Sequence, residues 1–365
     1  MSMGIASVIK IYKYKMIPNA AQRERLATTL ELCREVYNLC LEQRKMRRMG
    51  HYEQMKEITQ LRREFPQFQF VFSDVLQDIA TRLQLAFEKM WRNGGGYLRF
   101  KNKDHYNSFK YKRKWGHKLS GRYLQLTNIG NIKLHLSRPI PEDAVTKNLI
   151  VKRTINGWFA CFVINVKNIP LPDAKSVGID LGIENLAALS DGSFVANPRF
   201  FQSSQAKLRR AQRRVARAKR GSRRRAQAVR LLAKEYRHTQ DQRADYAHKQ
   251  TTSLVRRYGA IVIENLGVCR LAKSRLSKQV HDAGWGQFVS MLGYKAESAG
   301  RRLIEVNPNG TSQECPACGA IKKKKLSERQ HKCACGYEVH RDTAAAQVIL
   351  GRFVPSGANL ADVIA

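Results

Sequence analysis

Three acidic residues stand where a folded chain ordinarily places none. Asp180 lies in V-G-I-D-L-G, Glu264 in A-I-V-I-E-N-L, and Asp342 opens the apolar run D-T-A-A-A. The first two end or interrupt short β-branched runs that read as buried strands, and a carboxylate there is unfavourable unless something binds it. Three carboxylates drawn from a strand, a second strand and a helix start can hold two divalent cations about 4 Å apart, one activating water and the other stabilising the leaving oxygen of a phosphodiester. Mg²⁺ or Mn²⁺ suits such an oxygen set. Glu184, Asp191 and Asp282 compete for the role, but Asp191 belongs to a D-G turn and Glu184 falls in a polar stretch.

Four cysteines form a second candidate centre: Cys315 and Cys318 in C-P-A-C, then fourteen residues, then Cys333 and Cys335 in C-A-C. Their spacing permits a tetrahedral zinc whose coordination sphere is closed by protein, so the expected role is structural. Gly319 and Gly336 follow the two pairs and relieve the turns at the ligands. The run K-K-K-K at 322–325 and Arg329 set positive charge beside the third acid, where a phosphate would sit. The remaining cysteines, Cys33, Cys40, Cys161 and Cys269, are isolated in apolar contexts and read as small buried hydrophobes in a reducing compartment.

The whole chain of 365 residues carries 66 Lys and Arg against 29 Asp and Glu, a formal charge of +37. So cationic a chain repels itself unless a polyanion neutralises it, and nucleic acid is the expected partner. An apolar run of about 18 residues and a signal-peptide core are both missing, which argues against a membrane partner. The expected location is the cytoplasm, at the nucleoid. The length suffices for two or three domains with proper cores.

The elements that must position these residues can be read from periodicity. Residues 7–17 alternate apolar and basic as a strand that Pro18 stops; Leu26, Leu30, Cys33, Val36, Tyr37, Cys40 and Leu41 then follow a helical period to about Met49. A second helix runs from Ser73, read as its N-cap, to the G-G-G at 94–96. Between Tyr97 and Val166 short β-rich runs separated by turn residues predict a small antiparallel barrel or sandwich joined by the first strand, and 169–176 reads as a linker. Beyond it come a hairpin with a D-G turn, the Glu264 strand, a helix over 282–300 and the strand R-L-I-E-V. Between the hairpin and the Glu264 strand, Lys207 to Arg237 holds 14 Lys or Arg and one acid, Glu235, with helical apolar spacing on both sides of Gly221-Ser222. A charge run this unbalanced predicts a basic helical hairpin in contact with nucleic acid through Lys207, Arg209, Arg210, Arg213, Arg214, Arg217, Arg220 and Arg224.

These motifs, in this order, resemble the TnpB proteins of bacterial and archaeal insertion sequences, relatives of the type V CRISPR effector nucleases. The likeness runs from Y-K-Y-K-M-I-P and C-R-E-V-Y-N through D-V-L-Q-D and R-F-K to G-I-D-L-G, I-E-N-L, G-W-G-Q-F, T-S-Q-E-C-P-A-C-G and R-D-T-A-A-A. It implies an α+β multidomain protein: an OB-like wedge β-barrel over 1–17 and 97–172, a helical recognition domain over 18–96, a RuvC (RNase H-like) α/β nuclease domain over 173–310 and 338–365, and a zinc-binding module over 311–337. It implies, too, cleavage of double-stranded DNA next to a short transposon-adjacent motif, directed by a guide RNA from the transposon end; the oligomeric state stays open, with a monomer favoured. The family's carboxylates match Asp180, Glu264 and Asp342; Gln77 matches a position that helps read the adjacent motif, and Arg329 a basic position near the scissile phosphate. Two departures stand out. The family pattern D-R-D-x-N-A-A is here H-R-D-T-A-A-A, so His340 replaces an acid and is expected to be merely tolerated, while Ala344 replaces an asparagine and puts local support of the helix in doubt. Two rival functions remain open, an RNA-guided repressor that binds without cutting and a transposase that joins strands without RNA.

Overall fold

The computed structural model describes residues 7–47, 49–112, 114–167, 170–172, 174–267, 277–324 and 328–353; Cys269 and Lys325 lie outside the described residues. The chain forms two units, Met1–Lys167 and Asn168–Ala365. No helix among the described residues is long and apolar enough to cross a membrane.

In the first unit the alternating strand β1 (Ser7–Ile17) turns Tyr14 and Met16 inward. Helix α1 (Ala20–Met46) starts on a reciprocal cap in which Asn19 and Gln22 each receive the other's backbone N–H, and its predicted apolar stripe from Leu26 to Leu41 is buried. Helices α2 (His51–Glu64) and α3 (Ser73–Asn93) follow. Phe72, not Ser73, takes the N-cap position of α3, because Asp74 in its first turn accepts the backbone N–H of Lys112 at 2.7 Å and fixes the helix start against the sheet. Gly94, with φ of 58°, ends α3 in the left-handed conformation that its G-G-G tail suits.

The strands β2 (Ser108–Tyr111), β3 (His117–Ser120), β4 (Tyr123–Leu126), β5 (Gly130–His135), β6 (Val145–Thr154) and β7 (Gly157–Lys167) join β1 in one antiparallel sheet of order β2-β6-β7-β1-β5-β4-β3. The predicted barrel is thus a curled half-barrel with edges at β2 and β3. Phe109, Tyr111, Leu124, Ile132, Leu149 and Phe162 from its strands are all essentially buried in one hydrophobic core.

The second unit is built on a five-stranded sheet of order β10-β9-β8-β11-β12. Strands β8 (Ser176–Asp180), β9 (Asn185–Leu189) and β10 (Phe194–Ala196) form the antiparallel part; the D-G turn at Asp191-Gly192 joins β9 to β10. The basic stretch is the predicted helical hairpin, α4 (Phe200–Arg217) and α5 (Arg223–Arg257), with Gly221 at φ of 79° and Ser222 capping α5. Arg225 donates to the Val215 carbonyl at 2.6 Å and closes the hairpin. Strand β11 (Ala260–Glu264) runs parallel to both β8 and β12 (Arg302–Val306), with α6 (Ser277–Ala283) and α7 (Trp285–Ser298) between β11 and β12. The hairpin β13 (Gln330–Lys332) and β14 (Glu338–His340) then leads straight into α8 (Arg341–Gly351).

Small residues let α8 lie against β8. A Cβ at Gly178 would come within 2.8 Å of Leu350 N, 2.9 Å of Leu350 Cβ and closer still to the Ala346 carbonyl oxygen. Two of those neighbours are backbone and cannot give way. Gly178→Ala is therefore expected to destabilise the fold by about 3 kcal/mol, read from chemical denaturation. A change below measurement error would mean the helix is free to shift.

Candidate active site

Asp180 and Glu264 are the last residues of β8 and β11. Those strands are parallel neighbours with Ile179 paired to Ile263, so both acids emerge together at the carboxyl ends of the strands, where open α/β sheets gather ligands. Asp342 stands one helical turn before Ala346, the residue that touches Gly178, so the close packing of α8 on β8 fixes the third carboxylate at the same end of the sheet.

All three are half-buried, reachable from solvent but poorly hydrated. Burial pushes the Asp180 carboxyl up to about 7; the charges of Glu264 and Asp342 push the same way and Arg341 opposes them. Burial also raises Glu264, against the pull of the Thr311 hydroxyl and of Arg352. A buried carboxyl raised in this way by two neighbouring acids is one whose ionisation a divalent cation would favour. Among the described residues only the cysteines bring three or more ligand atoms within 4.8 Å of one another.

The competing acids are engaged elsewhere. Asp282 accepts the backbone N–H groups of Phe201 at 2.7 Å and Gln202 at 3.2 Å, capping α4 from a distant segment. Asp191 accepts from Ser193 and from the Tyr258 hydroxyl at 2.5 Å. Glu184 pairs with Arg329 at 2.6 Å, and the Arg329 carbonyl accepts the Arg341 N–H at 2.8 Å, which brings this cation beside the start of α8.

The four cysteines converge. Cys315 Sγ lies 3.8 Å from Cys335 Sγ, and Cys318 Sγ 3.5 Å from Cys333 Sγ. A tetrahedron with Zn–S bonds of about 2.3 Å has edges of about 3.8 Å, which these two separations approach, and all four sulfurs lie within 4.8 Å of one another. The basic residues from Lys207 to Arg224 named above are all exposed on α4, the connecting turn and the first turn of α5. Gln77 is half-buried on α3, in the first unit.

Some residues of the site had no role in the sequence reading. His340 is not merely tolerated: it is the N-cap of α8, its Nδ1 accepting the Asp342 N–H at 3.3 Å, and its ring meets Phe194 edge-on at 5.1 Å. Ala344 is buried in the face of α8 toward the sheet, where an amide would need partners of its own. Thr311 Oγ1 donates to Glu264 Oε1. It stands in T-S-Q-E-C, a motif whose cysteine was the informative part.

Comparison with known proteins adds the family. Residues 162–275 match the family OrfB_IS605, described as "Probable transposase"; residues 285–349 match a "Cas12f1-like, TNB domain" and residues 3–51 a "Helix-turn-helix domain". A Streptomyces pristinaespiralis protein named "Putative RNA-guided DNA endonuclease" is 32% identical over 357 residues, 94% of this chain and 89% of that protein. Escherichia coli K12 has a relative of the same description, 29% identical over 76% of this chain and 74% of its own. Among solved structures, a Cas12f1–sgRNA–target DNA complex shares the fold with a TM-score of 0.63 at 13% identity, over 91% of this chain and 83% of that one. The endonuclease Cas_phi3 shares it with a TM-score of 0.51 at 10% identity, over 99% of this chain and 93% of that one.

Proposed function

The chain belongs to the TnpB family of insertion-sequence RNA-guided nucleases, and from that membership we propose that it hydrolyses double-stranded DNA beside a short transposon-adjacent motif, guided by an RNA from the transposon end. The observation that carries the proposal is the meeting of Asp180 and Glu264 at adjacent parallel strand ends beside Asp342 on the helix packed against β8, where burial and the other two acids push the Asp180 carboxyl up.

Asp180, Glu264 and Asp342 would hold Mg²⁺ or Mn²⁺, which when bound activates water and offsets charge on the leaving oxygen. Asp180 and Glu264 orient the attack from the strand ends, and Asp342 closes the site from α8. Arg329, paired with Glu184 until nucleic acid arrives, meets the charge that develops on the scissile phosphate. Cys315, Cys318, Cys333 and Cys335 would hold a structural zinc. Within the first unit we assign the half-barrel as the wedge and α1 to α3 as the recognition domain, with Gln77 reading the adjacent motif; the second unit is the RuvC domain with its zinc module. The exposed cations of α4 and α5 bind guide RNA, an interaction that weakens steeply with salt.

The test is direct. Purified at low salt, the protein should carry RNA, and the complex should cut matched plasmid in Mg²⁺ and leave it intact in EDTA. Binding of matched DNA without any cleavage would establish a repressor instead, and strand joining without RNA a transposase.

A further inference from the structure

We infer that Thr311 is the positioning residue of Glu264: its hydroxyl, mounted on the loop that enters the zinc module, sets the direction in which that carboxylate presents its oxygens. The inference rests on the metal site proposed above and adds a residue to it.

Glu264 ends its strand half-buried, and its side chain has three torsions between backbone and carboxylate. Without a partner those torsions are free, and ordering them would weigh against cation binding. Thr311 Oγ1 donates to Oε1, which leaves Oε2 and the second lone pair of Oε1 for a cation. A threonine can do this only if its own position is fixed. Thr311 is 4% exposed and sits in a turn where Gln313 N and Glu314 N both donate to the Gly310 carbonyl, with Gly310 at φ of 80°. That turn is clamped to the end of α8: Arg352 donates to the carbonyls of Asn307 at 2.5 Å and Asn309 at 2.8 Å and pairs with Glu314 at 3.0 Å. Cys315 follows immediately. The Thr311 hydroxyl also has the Pro308 carbonyl at 3.2 Å, a neutral acceptor and the weaker competitor for its proton.

This arrangement is that of an outer-shell ligand partner. Losing such a partner typically lowers metal affinity or activity roughly 10- to 100-fold. A residue that merely filled space would be replaceable by one of the same shape. The two possibilities separate with a pair of substitutions in the full-length RNA-loaded protein, Thr311→Val, which keeps the shape and deletes the hydroxyl, and Thr311→Ser, which does the reverse.

Mn²⁺ binding is titrated by electron paramagnetic resonance without DNA, with Asp180→Ala identifying the signal that belongs to the acid site, and cleavage in Mg²⁺ is measured beside it. Thr311→Val should weaken the Asp180-dependent Mn²⁺ affinity roughly 10- to 100-fold and slow cleavage in step, while Thr311→Ser stays close to wild type. If the two variants behave alike, whether both impaired or both unimpaired, or if the serine is the more impaired, the inference is overturned while the metal site stands. If the wild type shows no Asp180-dependent Mn²⁺ binding, the metal site itself fails, and Thr311 with it.

Discussion

Asp180→Asn should end DNA cleavage and, in EDTA at pH 8, raise the melting temperature of the protein. In the folded chain the Asp180 carboxyl titrates near 7, against 3.8 in a free chain. A folded pKa above the unfolded one means that the fold favours the neutral acid. The destabilisation is therefore absent below about pH 4, grows as pH rises toward 7 and is complete above it, with a ceiling on the order of 4 kcal/mol. Asparagine removes the charge and keeps the shape, so the gain over wild type should shrink toward zero as pH falls to about 4. Mg²⁺ should stabilise the wild type and leave Asp180→Asn unmoved. Glu264→Ala and Asp342→Ala should also abolish cleavage and, like Asp180→Asn, retain RNA-guided binding, because binding rests on the basic hairpin and on base pairing. Equal melting curves for Asp180→Asn and wild type across this range would refute the electrostatic account. Wild-type cutting by Asp342→Ala would remove that residue from the centre.

Stripping the zinc should also end cleavage, by another route and with a larger cost in stability. Among the described residues of 311–340 there are two three-residue strands and few buried apolar side chains, so metal binding is expected to supply most of the folding free energy of this module, about 10 kcal/mol or more. Elemental analysis should find a single zinc per chain, lost in Cys333→Ser. The damage should spread, because β14 runs without a break into α8 and the Arg329 carbonyl anchors the Arg341 N–H. Hydrogen exchange in Cys333→Ser should accelerate across 311–340 and into the first turn of α8, with cleavage lost and the β8–β11 core still protected. A zinc-free preparation that cuts DNA normally in Mg²⁺ would show the cysteine cluster to be dispensable.

The acids were legible in the sequence because an isolated charge inside a β-branched run is a local anomaly; five residues on either side suffice to see it. The cysteines were legible by spacing. His340 was not, since capping is a property of where a helix begins, and the sequence placed an apolar run there without saying which atom would meet the first free N–H. Asp282 escaped for a related reason: it caps a helix some 80 positions earlier, and no local window contains both partners. The half-barrel was misjudged as a closed or stacked sheet because alternation reveals which side of a strand faces the core and is silent on whether the two edge strands meet.

The place of β1 in its sheet has a consequence for how the protein is made. Ser7 pairs with Lys167, and β1 is flanked by β7 on one side and β5 on the other, so within this sheet the strand earliest in sequence gains its second neighbour only when the latest one has been made. At roughly 5–20 residues per second its edge toward β7 stays bare for on the order of 10–30 s. During that interval α1 to α3 can form from local contacts alone, whereas the sheet must await contacts that span nearly the whole unit. Its Lys10, Lys13 and Lys15 alternate with apolar residues along the waiting segment. Such charges discourage edge-to-edge association between nascent chains until the proper partner has been synthesised.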